Sequence, residues 1–164
     1  MAGSSAVSVV ICALAFPVAA QSADCKIERA IYGEAETGIE LTFFAASGEN
    51  TPVTHGFNST VGDAKLEGHV MFDPEIERQV GMLMNNCPEG DVTGADLDAC
   101  TVWKGIPYGI DQATGRVDLI PPEGADAPDA ILLPGFGPAV MASRVEAGRD
   151  TAPWDVFEFK RCAS

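Results

Sequence analysis

"FDPEIERQVGMLMNNCP", residues 72–88, is the stretch on which the fold turns. Its signals favour a helix. Asp73 is a good N-cap residue, Pro74 suits the first helical position, and Glu75 and Glu77 fall where the helix dipole favours negative charge. Ile76, Val80, Leu83 and Met84 recur at i, i+4, i+7 and i+8 as one apolar stripe, and Asn86 with Pro88 supplies a stop. One helix is expected over about residues 74–86, packed on its surroundings.

Those surroundings read as strand. Upstream, "KIERAIYGEAE", "GIELTFFAA", "PVTHGFNSTV" and "AKLEGHVMF" carry β-branched and aromatic residues, with turns at Ser47-Gly48-Glu49-Asn50 and Gly62-Asp63. Downstream, "TVWKGIPYGID" and "GRVDLIP" flank Gln112-Ala113-Thr114-Gly115, a hairpin loop with glycine at its left-handed position. "AILLP" is a short buried strand, and "WDVFEFKRC" a closing strand with apolar residues on both faces. No internal repeat is present. The expected class is mainly β (α+β): a single antiparallel β-sandwich or small barrel, with one packed helix and disulfide staples.

The first 20 residues contain no Asp, Glu, Lys or Arg, and Ala6 to Phe16 form an unbroken run of small and apolar residues. Pro17 breaks the run, and Val18 with Ala20 offers small residues at −3 and −1 of a cleavage site, although no Lys or Arg precedes the run. This reads as a secretory signal peptide over residues 1–20, leaving one mostly-β secreted domain over residues 21–164, in the periplasm or outside the cell. Asp24 before Cys25 excludes a lipobox, and no later segment is apolar enough to span a bilayer.

Removing Cys12 with the leader leaves Cys25, Cys87, Cys100 and Cys162, an even number in an oxidising compartment. Four cysteines allow three pairings. Cys25 to Cys162 would join the two ends of the domain, and Cys87 to Cys100 would close a short acidic loop over residues 89–99. With no C-x2-C pair, a zinc site is disfavoured.

The 24 acidic and 10 basic residues give a net charge of −14, which argues against a nucleic-acid partner and is compatible with a cationic one or with solubility alone. Seven of the acids, against one base, lie between Asp73 and Cys100. Asp91, Asp96 and Asp98, with Thr93, are therefore candidate binding residues. They fail the calcium-loop spacing, because Ala95 stands at the fifth position and Val102 where the bidentate glutamate belongs.

"ILLPGFGPAV", residues 131–140, lacks the third glycine of a dinucleotide fingerprint and the lysine of a P-loop. Phe136, held between two glycines and two prolines, either presents itself to a partner or plugs the sheet; the inward orientation is expected. Glu34 and Glu36 share one face of a strand, a pairing that glycosidases use, but are expected to be solvated. His55 and His69 lie in strands, and His69 shares a face with Met71. On a helix, however, Met82 and Met84 point different ways, so no copper-type cluster forms, and neither metal nor cofactor is expected. Asn58-Ser59-Thr60 matches a glycosylation sequon.

Cysteines near both ends of a compact acidic β domain, behind a leader, make the layout resemble small periplasmic proteins of Gram-negative bacteria, among them lysozyme inhibitors of the membrane-bound/periplasmic C-type group. That group's Ser-Gly-x-x-Tyr loop has its nearest counterpart in Ser47-Gly48-Glu49-Asn50-Thr51, where Thr replaces Tyr, so no functional residue carries over. The expected function is a secreted acidic binding or inhibitor-like module for a cationic protein or envelope component. A small hydrolase using carboxylates and a histidine is the alternative.

Overall fold

The computed structural model describes residues 25–46, 52–143, 145 and 150–164. The expected leader and the 47–51 turn lie outside the described residues. Ten strands form one antiparallel sheet, curled into a half-barrel: β1 (Ala30–Gly33), β2 (Glu40–Phe44), β3 (Val53–Val61), β4 (Ala64–Asp73), β5 (Arg78–Met84), β6 (Thr101–Gly105), β7 (Tyr108–Asp111), β8 (Arg116–Leu119), β9 (Ala130–Leu132) and β10 (Val156–Cys162). The helices are α1 (Gly94–Cys100) and α2 (Phe136–Ala142).

The stretch expected to be a helix is a hairpin. Its N-cap signature is real but serves a turn: Asp73 Oδ1 accepts a hydrogen bond from the Glu75 amide at 2.9 Å, and Glu77 closes the turn at a positive φ of 51°. Asx side chains offer the same bond to turns and to helices, so the motif does not discriminate. Beyond the turn the burial period is two, with Gln79, Gly81 and Leu83 inward and Val80, Met82 and Met84 outward. Ile76, counted into the apolar stripe, is 51% exposed at the tip. Gly81 also has a sheet-specific reason. It pairs with Gly105 across β5 and β6, and a Cβ on either would strike the Trp103 ring, at 2.9 and 2.7 Å.

The order β6-β5-β4-β3-β2-β1-β10-β9-β7-β8 explains the curl. β6 stands first and β7 ninth, yet Ile106-Pro107 alone joins them. In a flat sheet strands eight places apart would sit roughly 38 Å from each other at about 4.8 Å per strand, whereas the three peptide steps from Gly105 to Tyr108 reach only about 11 Å. The sheet must bend until its margins approach. They are stitched by side chains: the Gln79 amide donates to the Ile120 carbonyl and accepts from the Ile120 amide, both at 2.9 Å. His55 Nε2 meets the Pro121 carbonyl at 2.8 Å, and Trp103 Nε1 donates to the Pro134 carbonyl at 3.0 Å.

Inside lie Tyr32, Phe43, Phe57, Trp103, Phe136 and Phe157, with Phe43 stacked on Phe57 and Phe136 edge-on to Phe157. Cys25–Cys162 and Cys87–Cys100 are both disulfides, with Cα separations of 5.6 and 5.2 Å. They tie the ends of the described chain and bracket the acidic loop, and are compatible with an oxidising, secreted environment. No helix among the described residues is long and apolar enough to cross a membrane.

Candidate functional site

The loop 134–138 holds an anion, but its own. Gly135 adopts φ 75°, and the Gly135 and Gly137 amides donate to the two carboxylate oxygens of Asp155 at 2.7 and 3.0 Å. A Cβ on Gly137 would lie 2.1 Å from the Pro153 carbonyl oxygen, so glycine is needed for close approach. Phe136 opens α2 fully buried, touching Trp103 and Phe157, so it is unavailable as a recognition side chain.

Residues expected to be an irregular acidic loop instead contain α1. Asp96 belongs to its capping box: its amide donates to Thr93 Oγ1 at 3.3 Å, and its carboxylate accepts from the Thr93 amide and hydroxyl at 3.0 and 2.7 Å. The hydroxyl, then the amide, hold that carboxyl below the usual range. Asp91 and Asp98 are exposed, and among the described residues no three acids, histidines or cysteines converge. Glu34 is buried rather than solvated, 2% exposed, while Glu36 is exposed. Burial pushes the Glu34 carboxyl up, but the Thr37 hydroxyl and the Glu36 and Thr37 amides outweigh it and leave it below the usual carboxylate range.

The structure instead opens a concavity along the seam that sequence reasoning missed. A cleft of about 490 Å³ lies between the margin formed by Ala46, Val53, Thr54, His55, Phe72 and Gln79 and the segment Leu119, Ile120, Pro122 and Glu123. Of the stitching residues, His55, Gln79 and Ile120 are part of its lining, so two of the contacts that close the half-barrel also shape the cleft. Phe72 pairs with Gln79 across β4 and β5, and the hairpin beyond them carries Asp73, Glu75 and Glu77 around exposed Ile76. Phe72 itself is 47% exposed. Opposite, the Glu123 carboxylate accepts a hydrogen bond from the Ala46 amide. Behind it, Glu28 accepts from the Gly124 amide at 2.9 Å, and that bond holds its carboxyl low.

His55 has no exposed surface. A carbonyl only accepts, so Nε2 carries the proton that reaches Pro121; Nδ1 lies 3.0 Å from the Thr54 hydroxyl, which is also 3.1 Å from the Val70 carbonyl. Burial holds the imidazole below its ordinary range despite that carbonyl and the nearby Glu123 and Glu28 charges. Both nitrogens are engaged within the protein, which makes His55 a fastener.

The cleft is thus an apolar hollow with the Glu123 carboxylate in its lining. No family model matches the chain, and no curated protein or solved structure does. The signal that could have found the cleft is the hairpin: once residues 74–77 are a turn, Phe72 and Ile76 are apolar residues stranded among three acids.

Proposed function

We propose that the protein is an exported, non-enzymatic binding module that receives a cationic partner at the seam cleft. The carrying observation is the cleft itself, apolar in most of its lining, with Glu123 on one side and the Asp73, Glu75 and Glu77 hairpin continuing the other. The matching occupant is an exposed segment of a basic protein in which an apolar side chain is flanked by Lys or Arg. The apolar group fills the hollow and the cations meet the rim, where charge contributes mainly to encounter rate and selectivity. A net charge of −14 steers such a partner and repels polyanions. The cleft does not favour the hydrolase alternative, because its histidine, His55, has both ring nitrogens engaged within the protein.

The test is retention of basic envelope proteins on immobilised protein at low ionic strength, beside a Phe72→Ser/Glu123→Lys variant. Proteins held by the wild type, lost from the variant and weakened by salt support the proposal. Equal retention by the variant, salt-insensitive retention or no retention overturns it.

A further inference from the structure

We infer that the outer face of the β4–β5 hairpin is a soft-metal site for Cu(I), built on His69 and Met82 with Met71 or Met84 as the third ligand. The register decides this. His69 stands directly opposite Met82, Met71 opposite Val80, and Met84 opposite Glu67, so Met71 and Met84 occupy the diagonals around the His69–Met82 pair. The inward positions between them, Gly68, Val70, Gly81 and Leu83, are buried, whereas the four candidate ligands are all partly exposed on the opposite face. A helix would have sent Met82 and Met84 apart; a strand sets them on the face of His69. Directly opposed Cβ atoms in a sheet lie about 4.5–5.5 Å apart and diagonal ones within about 7–8 Å, spans that methionine's rotatable bonds can close, whereas Met71 and Met84 stand four strand positions, roughly 13 Å, apart; His69 and Met82 therefore hold the ion, with either Met71 or Met84 as the third ligand.

Three further observations support a ligand set. The chain has five methionines, and three of them surround this histidine on a sheet face whose neighbouring positions are Thr42, Asn58, Lys65 and Glu67. His69, unlike His55, makes no hydrogen bond to another described residue, which leaves its nitrogens available. On the far side of His69 its partner is Gly56, where any Cβ would lie 2.2 Å from the Phe44 ring; that ring therefore covers the flank of the site. Lys104 opposes Met82 and is exposed, free to carry its ammonium into solvent, while Glu67 opposes Met84 and supplies negative charge.

The chemistry selects the metal. Thioether and imidazole donors without thiolate or a carboxylate cluster suit a soft monovalent ion over calcium, magnesium or zinc. With all four described cysteines in disulfides, methionine is the soft donor left among the described residues.

The probe is Ag(I), a redox-inert stand-in, titrated into the folded, disulfide-intact protein in chloride-free buffer with the methionine methyl and histidine ring signals followed by NMR. Cu(I) affinity is then measured against a chromophoric chelator. The expected result is saturation at one ion, with shifts at His69, Met82 and one or both of Met71 and Met84, and none at Met141. The near-isosteric Met82→Leu lowers affinity by about tenfold or more and Met141→Leu leaves it unchanged. Shifts at Met141 equal to those of the cluster, no saturable binding, or an affinity unaltered in a folded Met82→Leu/Met84→Leu variant would overturn the site. None of these readouts depends on the cationic partner.

Discussion

Replacing Gln79 by Leu removes the seam's central stitch while keeping side-chain volume. Gln79 is 8% exposed and Ile120 2%, and the side-chain amide satisfies both backbone groups of Ile120. Each backbone group left unpaired costs about 1–3 kcal/mol, so two cost roughly 2–6. Leucine's more favourable burial returns about 1–2 kcal/mol, leaving an expected loss near 3 kcal/mol, a large fraction of a typical domain's 5–15. Equilibrium urea unfolding with disulfides intact, followed by tryptophan fluorescence, reads that loss as a lower midpoint at unchanged m-value. Native-state hydrogen exchange at the Ile120 amide should accelerate alongside. A loss under about 1 kcal/mol, or unchanged protection at Ile120, would refute the idea that this side chain closes the half-barrel.

Gly137→Ala forces a methyl against the Pro153 backbone and should cost about 3 kcal/mol or more, beyond ordinary overpacking, measured in the same unfolding assay; wild-type stability would contradict the close approach. Asp155→Ala strips the Gly135 and Gly137 amides of their acceptor and should cost about 1–3 kcal/mol, with faster exchange at those two amides. Acidification should destabilise in two stages. His55 has a depressed folded pKa, so its neutral form's advantage is full above about pH 6.5 and erodes below it; Glu34, also depressed, contributes above about pH 4.3 and is lost as pH falls further. A pH series of unfolding midpoints checks this, and Glu34→Gln should remove part of the lower stage only. Cutting Cys25–Cys162 by paired Ser substitution should cost more than cutting Cys87–Cys100, because the closed chain is 137 rather than 13 residues, roughly 4–5 against 3 kcal/mol.

Much of the sheet is local and therefore legible in sequence. The strand pairs around Gly62-Asp63 and Gln112 to Gly115 announce themselves by alternation and turn residues, and Gly115 does adopt φ 70°. The inward Phe136 and both disulfides agree with the expected arrangement. The 72–88 stretch reads as a helix because Asp73-Pro74-Glu75 caps a turn as readily as a helix, and because β5 carries apolar residues on both faces, Leu83 inward and Val80, Met82 and Met84 outward, from which a helical stripe can be picked out. Gly81 is intelligible only through Trp103, two strands' worth of chain away. The cleft was illegible for a related reason: Gln79 and Ile120 are 41 residues apart, and no local pattern encodes a side-chain amide pairing with a distant backbone.

The central claim, that the seam cleft takes a cationic segment, is tested most directly by titrating isotope-labelled protein with a short peptide carrying Leu between lysines and mapping amide shifts at low and moderate salt. The account predicts saturable shifts confined to residues 72–79 and 119–123, weakening as salt rises. Shifts centred on α1 and the acidic stretch around Asp91 and Asp98, or no saturable shifts at low salt, would contradict it.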